Sequence, residues 1–246
     1  MNWISPISSN SSFARIAFST RTGGVSVGDF GESHGATHGL NLATHVGDDV
    51  KNVEQNRKLV RELLDLPPVV YMEQVHGNSV AIVDESNLVG TPEADALVTT
   101  SRRLALAVLT ADCVPMMLHD SAVGVIAAVH VGRRGLANGV VENTVSAMRS
   151  LGAIDIQAEL GPAICGDCYE VPLEMQREVS VAAPPASSIT DLGTSGLDIR
   201  DGISWQLERF GIFSRIDPIC TRRSELHYSY RREGRTGRTA GFIYLP

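Results

Sequence analysis

The 246-residue sequence has few aromatic residues (5%), only four cysteines and no long apolar run. None of its stretches approaches the roughly 20 apolar residues that a membrane-spanning helix needs. The Ser/Asn-rich segment 1–12 also lacks the basic leader and the apolar run of a signal peptide. We therefore expect a cytoplasmic protein with a flexible N-terminus over residues 1–12.

An excess of positive charge is absent as well. The formal net charge is −7 and the sequence pI is about 5.5, which disfavours a general affinity for nucleic acid or for an anionic membrane. The hydrophobic content of 43% is ordinary for a globular protein, and a chain of this length can bury a core without disulfide bonds. We therefore expect neither nucleic acid nor a membrane as a partner, and the oligomeric state stays open.

The four cysteines are Cys113, Cys165, Cys168 and Cys220, too few for a disulfide scaffold. In a reducing compartment they are expected to be thiols, metal ligands or core residues. Cys165 and Cys168 form a C-x-x-C motif, which is typical of a redox pair or a zinc knuckle. Because no second C-x-x-C accompanies it, a packing role in a loop is the favoured interpretation.

The apolar pattern predicts an α+β fold in one domain over residues 13–246, with mixed, largely antiparallel sheets flanked by helices. We expect helices near 49–64, 137–150, 173–181 and 198–210, and a hairpin turn at His76-Gly-Asn78. A dense series of apolar strand candidates, joined by links too short for crossover helices, is expected to pair antiparallel: Leu97–Thr99, Leu104–Thr110, Pro115–His119 and Val123–His130.

Three possible metal ligands, His76, Cys113 and His130, stand at the ends of strand-like runs. Two imidazoles and one thiolate suit Zn²⁺ and would leave the fourth tetrahedral position open. A zinc ion in such a site can lower the pKa of a bound water to about 7. The separations of 37 and 17 residues match no compact metal motif, so a packed cysteine and two hydrogen-bonded histidines remain an alternative.

The surrounding motifs closely resemble the laccase-domain family, once labelled multicopper polyphenol oxidases and now regarded as purine nucleoside phosphorylases. The resemblance covers about residue 13 to the C-terminus. It rests on eight ordered segments: Ser19-Thr-Arg-Thr-Gly-Gly24, Leu40-Asn-Leu-Ala-Thr-His-Val-Gly-Asp-Asp49, Gln74-Val-His-Gly77, Glu93-Ala-Asp-Ala-Leu-Val98, Leu109-Thr-Ala-Asp-Cys113, His130-Val-Gly-Arg-Arg-Gly135, Leu160-Gly-Pro-Ala-Ile164 and Ser229-Tyr-Arg-Arg232.

The resemblance implies a zinc-dependent enzyme with the laccase-domain fold, which is similar to that of cytotoxic necrotizing factors. It implies phosphorolysis of adenosine, inosine, guanosine and methylthioadenosine, together with deamination of adenosine. The family's metal ligands fall on His76, Cys113 and His130. The usual His-Ala-Gly-Trp-Arg-Gly of the family is His130-Val-Gly-Arg-Arg-Gly135 here, so Arg133 replaces an aromatic residue and base preference or rate could change.

Phosphorolysis needs an anion site, and guanidinium groups grip phosphate in a bidentate way. Arg21, in a glycine-rich turn, is the first candidate for it and Arg134 the second, while Arg231, Arg232, Arg235 and Arg238 are expected to form a solvated basic turn. Asp112, beside Cys113, is predicted to move a proton during deamination or to orient an imidazole. Further candidate substrate contacts are Asn41, His45 and Gln74.

Three other functions remain to be weighed. A copper-dependent polyphenol oxidase is disfavoured, because its copper centres need many histidines in His-x-His pairs and this chain has seven histidines and no such pair. A metal-free hydrolase of peptidoglycan precursors could use Cys113 as nucleophile and His130 or His76 as base. A non-catalytic nucleoside- or partner-binding module would keep the anion site without an open metal position.

Overall fold

Two β-sheets packed face to face hold the centre of the chain. The computed structural model describes residues 4–7, 14–32, 38–87 and 90–246. The strands in these ranges are β1 Ile4–Ile7, β2 Arg15–Ser19, β3 Thr22–Ser26, β4 Val69–Val70, β5 Val80–Ile82, β6 Ala96–Thr99, β7 Ala105–Thr110, β8 Val114–Asp120, β9 Val125–Val131, β10 Gln157–Leu160, β11 Ser187–Ile189, β12 Ser195–Leu197, β13 Ser214–Ile216 and β14 Thr239–Tyr244. The helices are α1 Val50–Leu63, α2 Arg133–Asn138, α3 Val140–Ser150, α4 Leu173–Ala182, α5 Ile199–Glu208 and α6 Tyr230–Glu233.

The two sheets are mixed and largely antiparallel. The five-stranded sheet has the order β1-β2-β14-β7-β4, and only its β4–β7 pair is parallel. The six-stranded sheet has the order β13-β10-β8-β9-β6-β5, with parallel pairs at its two edges. Strands β11 and β12 form a separate antiparallel ribbon. This architecture confirms the predicted α+β fold class.

Strand periodicity divides the core into three layers. In β9, Ile126 and Ala128 point into the space between the sheets, whereas Ala127 and Val129 pack against the helices on the other side. Such alternation is expected of a strand that is buried on both faces. The five-stranded sheet buries its outer face under α1 and the segment 40–46. The six-stranded sheet buries its outer face under α2 to α5.

The helices agree with the predicted positions except in one place. Helix α1 begins after Asp49, whose carboxylate accepts a hydrogen bond from the Lys51 amide, as a helix N-cap requires. The helix predicted over 137–150 is present as α3 Val140–Ser150, but its predicted start is wrong, because Ala137 and Asn138 belong to the separate helix α2. Gly139 separates them with a left-handed φ of 88°, a conformation that glycine adopts without steric cost.

Strand pairing differs from the prediction in two respects. The hairpin expected at His76-Gly-Asn78 is wrong, because β4 joins the five-stranded sheet and β5 joins the six-stranded one. Of the four strands expected to pair as neighbours, β8 and β9 do pair antiparallel, but β7 lies in the other sheet. The chain crosses between the sheets at both places, and short links do not reveal such a crossing.

At the N-terminus, β1 pairs antiparallel with β2 inside the segment predicted to be flexible, while residues 1–3 and 8–12 lie outside the described part of the chain. No helix within the described ranges is long and apolar enough to cross a bilayer.

The interface between the sheets is packed tightly around Phe18. A Cβ atom added at Gly161 would lie 2.3 Å from Phe18 Cε1. Phe18 is only 3% exposed, so its ring has little room to move away. Gly161→Ala is therefore expected to lower the free energy of unfolding by about 1–3 kcal/mol, the usual penalty for an overpacked core. Urea denaturation followed by circular dichroism measures this loss.

The matched control is the same substitution in a Phe18→Leu background, where the smaller side chain leaves space. The added loss from Gly161→Ala should then be clearly smaller, since contacting residues are not additive. An equal loss in both backgrounds would show that Phe18 is not the cause.

Candidate metal centre

His76, Cys113 and His130 converge at the end of the space between the two sheets. Cys113 immediately precedes β8 and His130 lies in β9, and the β8–β9 register places Pro115 opposite His130. His76 comes from the loop after β4. The imidazole rings of His76 and His130 meet edge to face, with centroids 4.7 Å apart. The three residues are thus far apart in the chain and adjacent in space.

The donor atoms of this triad fit a metal ion. One nitrogen of each imidazole and the Cys113 sulfur all lie within 4.8 Å of one another. Tetrahedral coordination at zinc bond lengths needs donor separations of about 3.3–3.8 Å, so small side-chain movements close the set. His130 is buried, Cys113 is half-buried and His76 is exposed. The remaining coordination position therefore faces the solvent side.

Asp95 holds two of the three ligands in place. One of its carboxylate oxygens lies 2.8 Å from His130 Nδ1, and its carboxylate also accepts hydrogen bonds from the backbone amides of His76 and Gly77. The His130 amide in turn donates to the Asp95 carbonyl. When His130 Nδ1 donates to this carboxylate, Nε2 is left free for a metal, the usual arrangement around zinc-binding histidines.

Without a metal, the triad carries opposite charges in contact. Burial raises the pKa of Cys113, but the imidazoles of His130 and His76 outweigh burial and lower the pKa to about 6. Burial lowers the pKa of His130, but the charges of Cys113 and Asp95 outweigh it and raise the pKa to about 9. Both shifts favour a thiolate paired with an imidazolium. The thiolate is the form that binds metals and acts as a nucleophile.

The backbone beside the ligands is strained. His76 has a φ of 58° and Asp112 a φ of 105°, both in the left-handed region that non-glycine residues rarely occupy. Asp112 is fixed there because its carboxylate accepts hydrogen bonds from the Thr221 hydroxyl and the Arg231 amide. Strain of this kind persists only where surrounding contacts impose it, and it concentrates at functional sites.

A cavity of about 450 Å³ opens beside the triad. Gly132 borders it, and a Cβ there would lie 3.1 Å from the His76 ring and 3.2 Å from the Cys113 sulfur, so a side chain would crowd both ligands. The cavity is lined by the triad and by His45, Gln74, Leu109, Thr110, Ala111, Asp112, Gly132, Arg133, Arg134, Ile164, Tyr169, Ile199, Tyr230, Arg231 and Arg238. Its volume is in the range of small-molecule sites.

Four of the six other candidate site residues line this cavity, namely Asp112, His45, Gln74 and Arg134. The Gln74 amide exchanges two hydrogen bonds with the backbone of Leu109, which fixes the strand that leads to Cys113. Arg134 is exposed at the cavity. These positions are compatible with the predicted substrate contacts, and those contacts stay predictions.

Arg21 and Asn41 lie elsewhere. Arg21 is 2% exposed, and its guanidinium pairs with Glu233, donates to the Gly31 carbonyl and lies 4.5 Å from the centre of the Tyr228 ring. Glu233 compensates the charge of Arg21 in the interior, and Arg21 does not line the cavity. This position differs from the predicted contact with phosphate.

Asn41 is fully buried, and its side chain donates to Asp48 and to the Ala43 carbonyl and accepts from the Arg238 amide. Both residues therefore support the loops around the cavity rather than its surface.

Sequence reasoning assigned no role to several residues that build the site. Asp95 belongs to the motif Glu93-Ala-Asp-Ala-Leu-Val98, directly before a buried strand, and this position could have indicated its role. Arg231 and Arg238 belong to the turn predicted to be solvated, but both line the cavity. In contrast, Arg232 donates to backbone carbonyls and the exposed Arg235 lies outside the lining. Ile164 ends the motif Leu160-Gly-Pro-Ala-Ile164, whereas Tyr169 carried no local signal.

Comparison with known proteins gives matches over almost the whole chain. The family model described as multi-copper polyphenol oxidoreductase laccase matches residues 15–246. A protein named purine nucleoside phosphorylase from Streptomyces coelicolor is 49% identical, over 94% of this chain and 96% of the relative. A protein of the same name from Corynebacterium glutamicum is 47% identical, over 94% of each chain.

Solved structures show the same fold. A Neisseria meningitidis protein superposes with a TM-score of 0.86 at 34% identity, covering 99% of both chains. YlmD from Geobacillus stearothermophilus superposes with a TM-score of 0.85 at 31% identity, covering 96% of this chain and 94% of that one.

Asp95→Asn tests the support of the triad. The substitution keeps the size of the side chain but removes the charge that orients His130, so the affinity of the triad for a divalent metal ion is expected to fall about 10–100-fold. Competition titration against a chromophoric chelator measures the affinity. Asp155→Asn, at an exposed carboxylate outside the cavity lining, is the matched control. Equal affinities for the two variants would contradict the role given to Asp95.

Proposed function

The chain belongs to the multi-copper polyphenol oxidoreductase laccase family, and on that basis we propose that it is a zinc-dependent purine nucleoside phosphorylase. The matches confirm the resemblance indicated by the eight ordered motifs. The observation that carries the proposal is the convergence of two imidazoles and one thiol beside a cavity lined by four arginines. The family description names copper, but seven histidines without a His-x-His pair still disfavour a multicopper centre.

His76, Cys113 and His130 would hold the metal. Borderline-soft nitrogen and sulfur donors in this number are typical of a catalytic Zn²⁺ site, in which three protein ligands leave one position open. When bound, the ion would supply a Lewis acid beside the cavity. Asp95 supports this assignment, because it fixes the ring of His130 and the backbone of His76 before any ion arrives.

Phosphate would bind at the arginines of the cavity. In phosphorolysis, a phosphate oxygen bonds to the ribose C1′ while the bond from C1′ to the purine nitrogen breaks, and the purine leaves with the electron pair and is protonated. The reaction therefore needs a dianion held beside a sugar that develops positive charge. Arg238 is the first candidate, since its guanidinium is half-buried, lines the cavity and interacts electrostatically with Cys113 and Asp112. Arg134 is a second, more exposed candidate.

The purine would lie on the apolar side of the cavity. Ile164, Ile199 and Tyr169 line that part of the cavity, and the Tyr169 ring already stacks on the Arg231 guanidinium at 4.8 Å. Flat apolar and aromatic surfaces accept adenine, hypoxanthine and guanine alike, which fits the proposed substrates adenosine, inosine, guanosine and methylthioadenosine. His45, Gln74 and Arg133 border the same space. Arg133 occupies the position of the tryptophan in the family's usual motif.

Adenosine deamination is the second proposed activity of the same centre. It requires a water near the purine C6 and a group that transfers a proton. Asp112 lies beside Cys113, but both of its oxygens accept hydrogen bonds, from Thr221 and Arg231. We therefore propose that Asp112 fixes the segment that carries Cys113. Asp112 would transfer a proton only after one of these two hydrogen bonds breaks.

The products formed from adenosine test the proposal directly. Protein of known zinc content is incubated with adenosine, with and without inorganic phosphate, and the products are separated by chromatography. We expect adenine and ribose 1-phosphate only when phosphate is present, inosine in either case, and loss of all three after zinc is removed by a chelator. Folded, zinc-loaded protein that forms none of these products would overturn the proposal.

Arg238→Gln tests the phosphate site. Removing a guanidinium that binds phosphate is expected to raise the KM for phosphate about 10–100-fold, the loss of a charge-assisted hydrogen bond, with less change in the KM for the nucleoside. Arg235→Gln is the matched control from the same turn, because Arg235 is exposed and lies outside the cavity lining. Steady-state kinetics with varied phosphate gives both constants. If the two variants behave alike, Arg238 does not hold phosphate.

A metal-free cysteine hydrolase is the second candidate function, favoured by one observation. The low pKa of Cys113 and the raised pKa of His130, with Asp95 behind the imidazole, match a nucleophile, a base and its orienting carboxylate. The two functions differ in their response to alkylation. Zinc should protect Cys113 from iodoacetamide in a phosphorylase, whereas a hydrolase should be alkylated at the same rate with and without zinc.

A further inference from the structure

A second group of possible metal ligands, a sulfur cluster of Cys165, Cys168 and Cys220, lies next to the cavity. Their sulfur atoms all lie within 4.8 Å of one another, and all three are free cysteines. Cys165 and Cys168 belong to the turn after β10, and Cys220 belongs to the segment after β13. The backbone bridge between Ala163 and Cys220 holds the two segments together. The C-x-x-C motif thus gains a third thiol that its sequence neighbourhood did not reveal.

Polar groups lie around these thiols. The Cys165 amide donates to the Cys220 sulfur at 3.4 Å. The guanidinium of Arg200 lies near enough to Cys165 and Cys220 for their charges to interact, and that of Arg223 interacts likewise with Cys165 and Cys168. Arg200 pairs with Asp198, and Arg223 pairs with Asp167 and Asp191, so carboxylates hold both guanidinium groups beside the cluster. The proximity of the three sulfur atoms is therefore the observation that points to a metal.

We propose that Cys165, Cys168 and Cys220 bind a second Zn²⁺ ion through three thiolates, on residues separate from the triad of His76, Cys113 and His130. Each thiol releases its proton to solvent as its sulfur bonds to the ion, and nothing is oxidised or reduced. Thiolates are soft donors that select zinc over magnesium or calcium. Cys220 is the least buried of the three, so water completes the fourth position on its side.

The ion would brace the wall of the cavity. Two of the cysteines are chain neighbours of residues that line the cavity, since Ile164 precedes Cys165 and Tyr169 follows Cys168. Cys220 precedes Thr221, which lies behind the lining. The Thr221 hydroxyl holds the carboxylate of Asp112, and the Ile164 amide donates to the Asp112 carbonyl. An ion that ties the two segments together would therefore stabilise the loop that carries Cys113.

Zinc stoichiometry tests the proposal. Protein purified with a reductant is stripped with a chelator and titrated with Zn²⁺ against a chromophoric competitor. We expect about two equivalents for the natural sequence and about one for either Cys168→Ser or Cys113→Ser. The double variant should bind none. A single equivalent in the natural sequence that is lost in Cys113→Ser overturns the second site and leaves the proposed function intact.

Two further measurements avoid dependence on the folding of Cys168→Ser. In Cys113→Ser, which keeps the sulfur cluster, Zn²⁺ should still raise the melting temperature, and Co²⁺ should give an intense thiolate charge-transfer band without any ligand from Cys113. In the natural sequence, Zn²⁺ should slow the alkylation of Cys165, Cys168 and Cys220, mapped by mass spectrometry. Unchanged alkylation, or a disulfide between two of these residues in protein that takes up no second zinc, contradicts the proposal.

Discussion

The Asp95 carboxylate is the interaction on which the site depends. It lies directly before β6, at the edge of the space between the sheets, and it bonds both to a side chain of one neighbouring element and to the backbone of another. Through these bonds His130, fixed in β9, and His76, in a loop, share one anchor. A loop residue at a left-handed φ would not hold its position alone. The Asp95 carboxylate accepts the backbone hydrogen bonds that hold His76 in this conformation.

The two-sheet architecture explains why the ligands are so distant in sequence. The chain passes from one sheet to the other between β4 and β5 and again between β7 and β8, and these two links carry His76 and Cys113. β9 presents His130 on the face that also carries Ile126 and Ala128, which lies between the sheets. Because the β8–β9 register is fixed by buried residues on both faces, a slip by one residue would turn His130 away from Cys113. Core packing thereby sets the geometry of the metal centre.

Sequence reasoning reached the individual elements better than their arrangement. Helix α1 was predictable from the capping Asp49 and the spacing of Val53 and Val60, since both signals are local. The separation of β7 from β8 into different sheets was not predictable, because both strands are continuously buried and no alternation marks the face or the sheet.

The site residues divide in the same way. His76, Cys113 and His130 were identified from their positions at strand ends and from motifs that resemble a family. The choice of Arg21 over Arg238 rested on a glycine-rich turn, and the turn gave no information about Glu233, which compensates Arg21 from more than 200 residues away. The proximity of Cys220 to the C-x-x-C motif was not predictable for a related reason, since only the fold brings it to Cys165 and Cys168.

The distribution of charge gives a final reason to prefer an anionic co-substrate. The chain as a whole carries a net charge of −7, yet the described lining of the cavity contains Arg133, Arg134, Arg231 and Arg238. The one carboxylate among those lining residues, Asp112, is engaged by hydrogen bonds. A cationic cavity in an acidic protein attracts anions and raises their local concentration. Four guanidinium groups therefore suit a reaction that takes phosphate as its co-substrate better than one that takes only water.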